Sequence, residues 1–145
     1  EITESSVADS AEIARILRTT MDHDLPYLPK LHTPEEDVEF IRNNVFTECT
    51  VIVSKEDDTI AGFCAYKDGW VNHLYILPKY QGQGRGSALL KMAMDANREL
   101  QLWTFQKNAR ARKFYEAHGF SVVELTNGEG NEEKEPDLRY VWKRN

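Results

Sequence analysis

The chain has 145 residues, 41% hydrophobic and 10% aromatic, with a net charge of −6. One domain of that length buries a core without disulfide or metal staples, and the acidic balance argues against duplex nucleic acid or an anionic membrane as main partner, because both need clustered Lys and Arg. No apolar run approaches a membrane span, and the opening EITESSVADS lacks the basic and apolar regions of a secretory signal, so a cytoplasmic protein is expected.

A helix is predicted over DSAEIARIL, with Asp9 as its cap, Glu12 as the reciprocal partner and Ile13, Ile16 and Leu17 as its apolar stripe. Whether a strand precedes it is open. MDHDLPYLPKLH, interrupted by Pro26 and Pro29, reads as a loop. Thr33 then caps a second helix, with Pro34 at its first position, Glu36 completing a capping box, and Val38, Ile41 and Val45 facing inward. From Glu48 the period changes to two. ECTVIVS and TIAGFCAY form a hairpin across KEDD, Asp68–Gly69 makes a second turn, and WVNHLYIL is the third strand of the meander. A helix is expected from Ser87 to Leu100, with Leu89, Ala93, Ala96 and Leu100 on one face. LQLWTF is a strand, NARARKFYEAHG a helix ending at Gly119, FSVVEL a strand, TNGEGNEEKEPD an acidic loop and LRYVWK the last strand. The sum is a mixed α/β (α+β) architecture in a single domain, residues 1–145, with an antiparallel first half and a strand–helix–strand unit in the second. Cys49 and Cys64 sit in apolar runs with no metal-ligand spacing and read as buried thiols of a reducing compartment.

Between the third meander strand and the following helix stands LPKYQGQGRGS. A plain turn needs one glycine, whereas Gly82, Gly84 and Gly86 alternate with long polar residues. Helix N-termini carry unpaired N–H groups and partial positive charge, and glycines let backbone close around an anion, so the amides from Gly82 to Ser87 are candidates for a phosphate cradle. A Walker loop is excluded because Gly86 is followed by Ser87 and Ala88 rather than Lys and Ser or Thr. A dinucleotide fingerprint is excluded because the sixth position from Gly82 is Ser87.

The remaining pattern, Gln81-x-x-Gly84-x-Gly86 after a strand, resembles the acyl-CoA signature of the GNAT superfamily of N-acetyltransferases. FQKNARARKFYEAHGF is similar to that family's second cofactor segment, and the order of elements agrees along essentially the whole chain. The resemblance implies a mostly antiparallel twisted sheet of about six to seven strands, helices on both faces, and a V-shaped splay between the fourth and fifth strands. It implies acetyl-CoA as donor, no metal, and direct transfer to an amine in a ternary complex. Backbone groups of Leu74, Tyr75 and Ile76 would pair with the pantetheine arm, with the Ile76 amide as oxyanion donor. Gly82, Gln83, Gly84, Arg85, Gly86 and Ser87 would hold the pyrophosphate, with Arg85 and Lys79 as charge partners. Asn108 would bond the cofactor arm while capping its own helix. Tyr115 would be the thiolate acid; the plainer alternative is a core aromatic.

The base is less legible. Some members carry a glutamate on the fifth strand, where this chain has Trp103. His73 is the candidate for its intrinsic pKa, with His32, Glu135 and Asp137 as rivals and a structural strand histidine as the bland alternative. Glu129, Glu132, Glu133, Glu135 and Asp137 would form a negative rim that favours a cationic acceptor, unless they are only a solvated loop. A non-catalytic acyl-CoA sensor of the same fold is the competing function, and either a monomer or a homodimer fits the sequence.

Overall fold

Runs of β-branched and aromatic residues, separated by turn chemistry, build the first half of the sheet. In the computed structural model, which describes all residues from Glu1 to Asn145, β1 (Ile2–Glu4), β2 (Thr50–Glu56), β3 (Thr59–Lys67) and β4 (Trp70–Ile76) pair antiparallel in that order. Asp68 and Gly69 both take positive φ, 48° and 84°, the hairpin turn whose twist matches its strands. The second half holds β5 (Glu99–Phe105), β6 (Ser121–Leu125) and β7 (Asp137–Lys143), giving a seven-stranded sheet in the order β1-β2-β3-β4-β5-β7-β6.

Helices cover both faces. On one lie α1 (Ser10–Asp24) and α2 (Pro34–Phe40), the latter running through a π turn at Ile41–Val45 into α3 (Phe46–Glu48). Ile13, Ile16, Leu17, Ile41 and Val45 pack there against Val53 and Phe63. On the other face α4 (Arg85–Asp95) and α5 (Ala109–Ala117) bring Leu89, Leu90, Ala93 and Tyr115 against Cys64, Leu100, Leu102 and Tyr140.

Two expectations need correction. The Thr33 capping box forms in full, but its counterpart at Asp9 does not. A 3-10 turn, Val7–Asp9, runs directly into α1 and leaves Asp9 at ψ 6°, far from extended cap geometry. Its carboxylate accepts from the Ser5 hydroxyl (2.7 Å), and Glu12 accepts from the Ile60 amide (3.2 Å). The second correction is the end of α4, at Asp95 rather than Leu100. The Asn97 side-chain amide donates to the Ala93 carbonyl (2.7 Å) and stops the helix, and Leu100 belongs to β5 with no exposed surface.

The gap that positions the site follows from pairing. β5 keeps seven residues in register with β7 but meets β4 only at Trp70 and Gln101. The Gln101 amide bonds the Gly69 carbonyl at 2.8 Å, and beyond that point the two strands diverge.

Candidate active site

Backbone at the gap is unequally free. The Leu77 amide bonds the Ala61 carbonyl at 2.9 Å, which fixes the alternation of the β3–β4 ladder. By that alternation His73 and Tyr75 bond to β3, whereas the peptide groups of Leu74 and Ile76 turn toward the side that β5 has left. Tyr75 therefore differs from expectation: its ring, not its backbone, serves the gap. The Ile76 carbonyl is taken as well, by the Gln81 side-chain amide (2.9 Å) and the Thr20 hydroxyl (3.4 Å), which leaves its N–H as the group facing outward.

The glycine segment curls ahead of α4. Gly82 and Gly84 adopt φ of 77° and 83°, and space lies open where a Cβ would stand on either. Gly84 caps α4, and the first intrahelical bond comes from the Ala88 amide, so those of Arg85, Gly86 and Ser87 have no intrahelical partner. The Gln81 amide also donates to Asp24 at the end of α1 (3.0 Å), and Arg110 of α5 donates to the Gln81 side-chain oxygen. One side chain thus ties α1, β4 and α5 together behind the loop. Nothing in the local sequence signals that role beyond the motif itself.

Arg85 departs from its expected part. Its guanidinium donates to the Ser54 hydroxyl (2.9 Å) and pairs with Glu56, so its charge is neutralised on the β2–β3 hairpin. Lys79 lies over the Tyr80 ring, 5.0 Å from its centre. Gln83 accepts from Arg85 at 3.4 Å. Arg110, unnoticed in the sequence, lines the same cavity as the glycines.

That cavity, of about 290 Å3, is walled by Leu74, Ile76, the glycine loop, Asn108 and Tyr115. Asn108 caps α5 by accepting from the Ala111 amide (3.1 Å), leaving its NH2 group unused. The Ser87 hydroxyl meets Nε2 of His118 at 3.0 Å, while Nδ1 of that ring bonds the Phe114 carbonyl at 2.7 Å. Tyr115 is 8% exposed, set between Phe114, Phe120 and Tyr140. Burial, and then the neighbouring Cys64 and Tyr75, raise its pKa far above the ordinary phenol, so it stays protonated at neutral pH.

Adjoining the first cavity is a second of about 400 Å3, between α1, α2, β4 and the β6–β7 loop. Met21, Leu25 and Tyr75 line both, so the two cavities are neighbours with shared walls. His73 stands in this second wall, its Nδ1 buried without a partner, and burial lowers its pKa to about 4. Burial therefore keeps the ring uncharged at neutral pH, held among Phe40, Phe63 and Tyr75. The rivals are engaged too: His32 with Glu132, Glu135 with Lys107 (3.7 Å), and Asp137 with Thr126 and Asn131. Of the five loop carboxylates only Glu132 and Glu133 reach the cavity, where Asp22, Glu36 and Asp37 join them from α1 and α2. The rim is acidic, but by a different set of residues from the one the sequence suggested.

No helix is long and apolar enough to cross a membrane, and no three His, Cys, Asp or Glu side chains cluster as metal ligands. Among known proteins, the pattern of the acetyltransferase (GNAT) domain family matches residues 47–122. The peptidyl-lysine N-acetyltransferase YiaC of Escherichia coli is 29% identical over 98 residues, which are 59% of this chain and 67% of that protein. The structure of apo YjaB from Escherichia coli superposes with a TM-score of 0.81 at 23% identity, covering 100% of this chain and 98% of the other. YncA from Salmonella typhimurium, solved with acetyl-CoA, gives 0.76 at 19% identity, covering 100% and 94%.

Proposed function

The chain belongs to the GNAT acetyltransferase family, and on that premise we propose that it moves an acetyl group from acetyl-CoA to a cationic primary amine by direct attack. The observation that carries this reading is the gap between β4 and β5, with two adjoining cavities beside it and Tyr75 in the wall of both.

The residues fit the donor. The open backbone at Gly82 and Gly84 and the unbonded amides of Arg85, Gly86 and Ser87 suit a pyrophosphate. The outward N–H groups of Leu74 and Ile76 and the free NH2 of Asn108 suit an amide-bearing arm. Bound acetyl-CoA supplies an activated thioester. The Ile76 N–H then stabilises developing negative charge on the carbonyl oxygen, and the Tyr115 hydroxyl gives its proton to the departing sulfur. A covalent acyl-enzyme has no support from the cysteines: burial pushes the Cys64 thiol up to about 12, and burial also raises Cys49. The acidic second cavity favours an ammonium acceptor, and the name of the Escherichia coli relative supports a lysine side chain.

Acetyl-CoA should raise the melting temperature by mass action, by about 2.7 kcal/mol of stabilisation at 100-fold over Kd. Gly84→Val should abolish the rise, because a β-branched residue rejects φ of 83° and the amides lose their aim. A wild-type protein that neither responds to millimolar acetyl-CoA nor releases free thiol from it when amines are added would overturn the reading.

A further inference from the structure

Each charged group lining the second cavity has a partner within the fold, with one exception. Arg18 holds Asp37 in a two-pronged bond of 2.9 and 3.0 Å, Lys30 stands 3.8 Å from Asp22, and His32 pairs with Glu132. Glu36 is occupied in the capping box, accepting from the Thr33 amide at 2.8 Å. Glu133 alone among the carboxylates of this cavity has neither ion pair nor hydrogen bond. It is half-buried and lines this cavity together with Tyr75, whose ring lines the neighbouring cavity as well. Its charge reaches that hydroxyl: burial, and secondly Glu133, push Tyr75 up to about 12 against the opposing effect of Arg18.

An unpaired carboxylate in a cavity wall attracts a cation that enters. A second feature of the same wall also points to a polar occupant. Nδ1 of His73 is the one buried side-chain nitrogen or oxygen of the protein that has no hydrogen-bond partner. The fold places both at the acceptor side of the gap and satisfies neither.

We propose that Glu133 receives the ammonium group of the acceptor beside the Tyr75 hydroxyl and takes its proton before attack. This rests on the acetyl-transfer reading. The ammonium N–H bond breaks, its proton becomes the O–H of the Glu133 carboxyl group, and the freed lone pair forms the C–N bond to the acetyl carbon. The C–S bond breaks with its electrons staying on sulfur, which takes the Tyr115 proton. The second proton shed by nitrogen restores Tyr115 through water, and Glu133 later releases its own to solvent. The role that the fifth strand leaves unfilled at Trp103 thus falls to the β6–β7 loop.

The test uses two matched acceptors with the intact enzyme: Nα-acetyl-lysine amide, whose side chain is an ammonium at neutral pH, and its aminooxy analogue, which is uncharged there. Glu133→Gln should lower kcat for the lysine amide by about 10²-fold, in the range of general-base contributions, and leave the aminooxy compound within about threefold of wild type. Tyr115→Phe should slow both alike, because sulfur needs its proton whichever nitrogen attacks. Calorimetry without acetyl-CoA supplies a readout independent of turnover, in which the lysine amide binds Glu133→Gln more weakly than wild type. An unchanged acetyl-CoA melting shift in Glu133→Gln shows that its fold is intact. Equal losses on both acceptors, or none on either, would overturn the role of Glu133. Absence of transfer by wild type would instead sink the transferase reading, and the calorimetric arm would still decide whether Glu133 receives the ammonium.

Discussion

His73 sits among aromatic rings, with Phe40 edge-on at 5.6 Å, Tyr75 at 6.1 Å and Phe63 at 6.3 Å. Rings solvate a cation far less well than water does, and burial accordingly lowers its pKa from 6.5 to about 4. The unfolded chain takes up a proton as pH falls through 6.5, and the folded protein refuses it until about 4. Stability from this residue is therefore complete above 6.5 and declines between 6.5 and 4, by at most about 3 kcal/mol. His73→Phe removes the titration and also the orphaned Nδ1. Urea unfolding should show the variant gaining on wild type as pH drops, by about 2 kcal/mol between pH 7.5 and pH 5. A constant difference across that range would mean that the ring is hydrated and titrates normally.

The helices α1 and α2 begin with similar letters, and only one begins as those letters suggest. Thr33-Pro34-Glu35-Glu36 closes its capping box because no other partner competes for Thr33 or Glu36. Asp9-Ser10-Ala11-Glu12 has the same spacing, but Glu12 is claimed by the Ile60 amide, 48 residues away. Thr33→Ala should cost about 1 kcal/mol in urea denaturation, and Asp9→Ala only a few tenths, since no cap bond is lost. Equal costs would return Asp9 to a capping role. The same division governs how much of the site was legible. Gly82, Gly84, Gly86, Asn108 and Tyr115, which line one cavity, are candidates the sequence offers because their chemistry is local: a loop before a helix, a cap, a residue in the helix that follows it. The lock at Gln81, the loss of Arg85 to Glu56 and the isolation of Glu133 depend on which distant segments end side by side, and a single sequence does not carry that. Apolar period marked the buried face of α4 but not its end, which is set by a polar side chain, Asn97, folding back on Ala93.

Across the whole molecule, the parting of β4 and β5 leaves two adjoining cavities beside the gap. The glycine loop, α4, α5 and the end of α1 line one cavity; α1, α2 and the β6–β7 loop line the other; Tyr75 stands in the wall of both. With one substrate of the proposed reaction in each cavity, neither would have to leave before the other binds, which makes binding sequential. A covalent relay would need a thiolate at the junction, and neither cysteine lines either cavity. Burial also holds both thiols protonated, with Cys64 at about 12. Initial rates measured at several fixed acceptor concentrations should therefore give intersecting double-reciprocal lines, and intact mass after incubation with acetyl-CoA alone should show no added acetyl group. Parallel lines together with an acetylated enzyme would establish a ping-pong route, and the gap would then serve one substrate at a time.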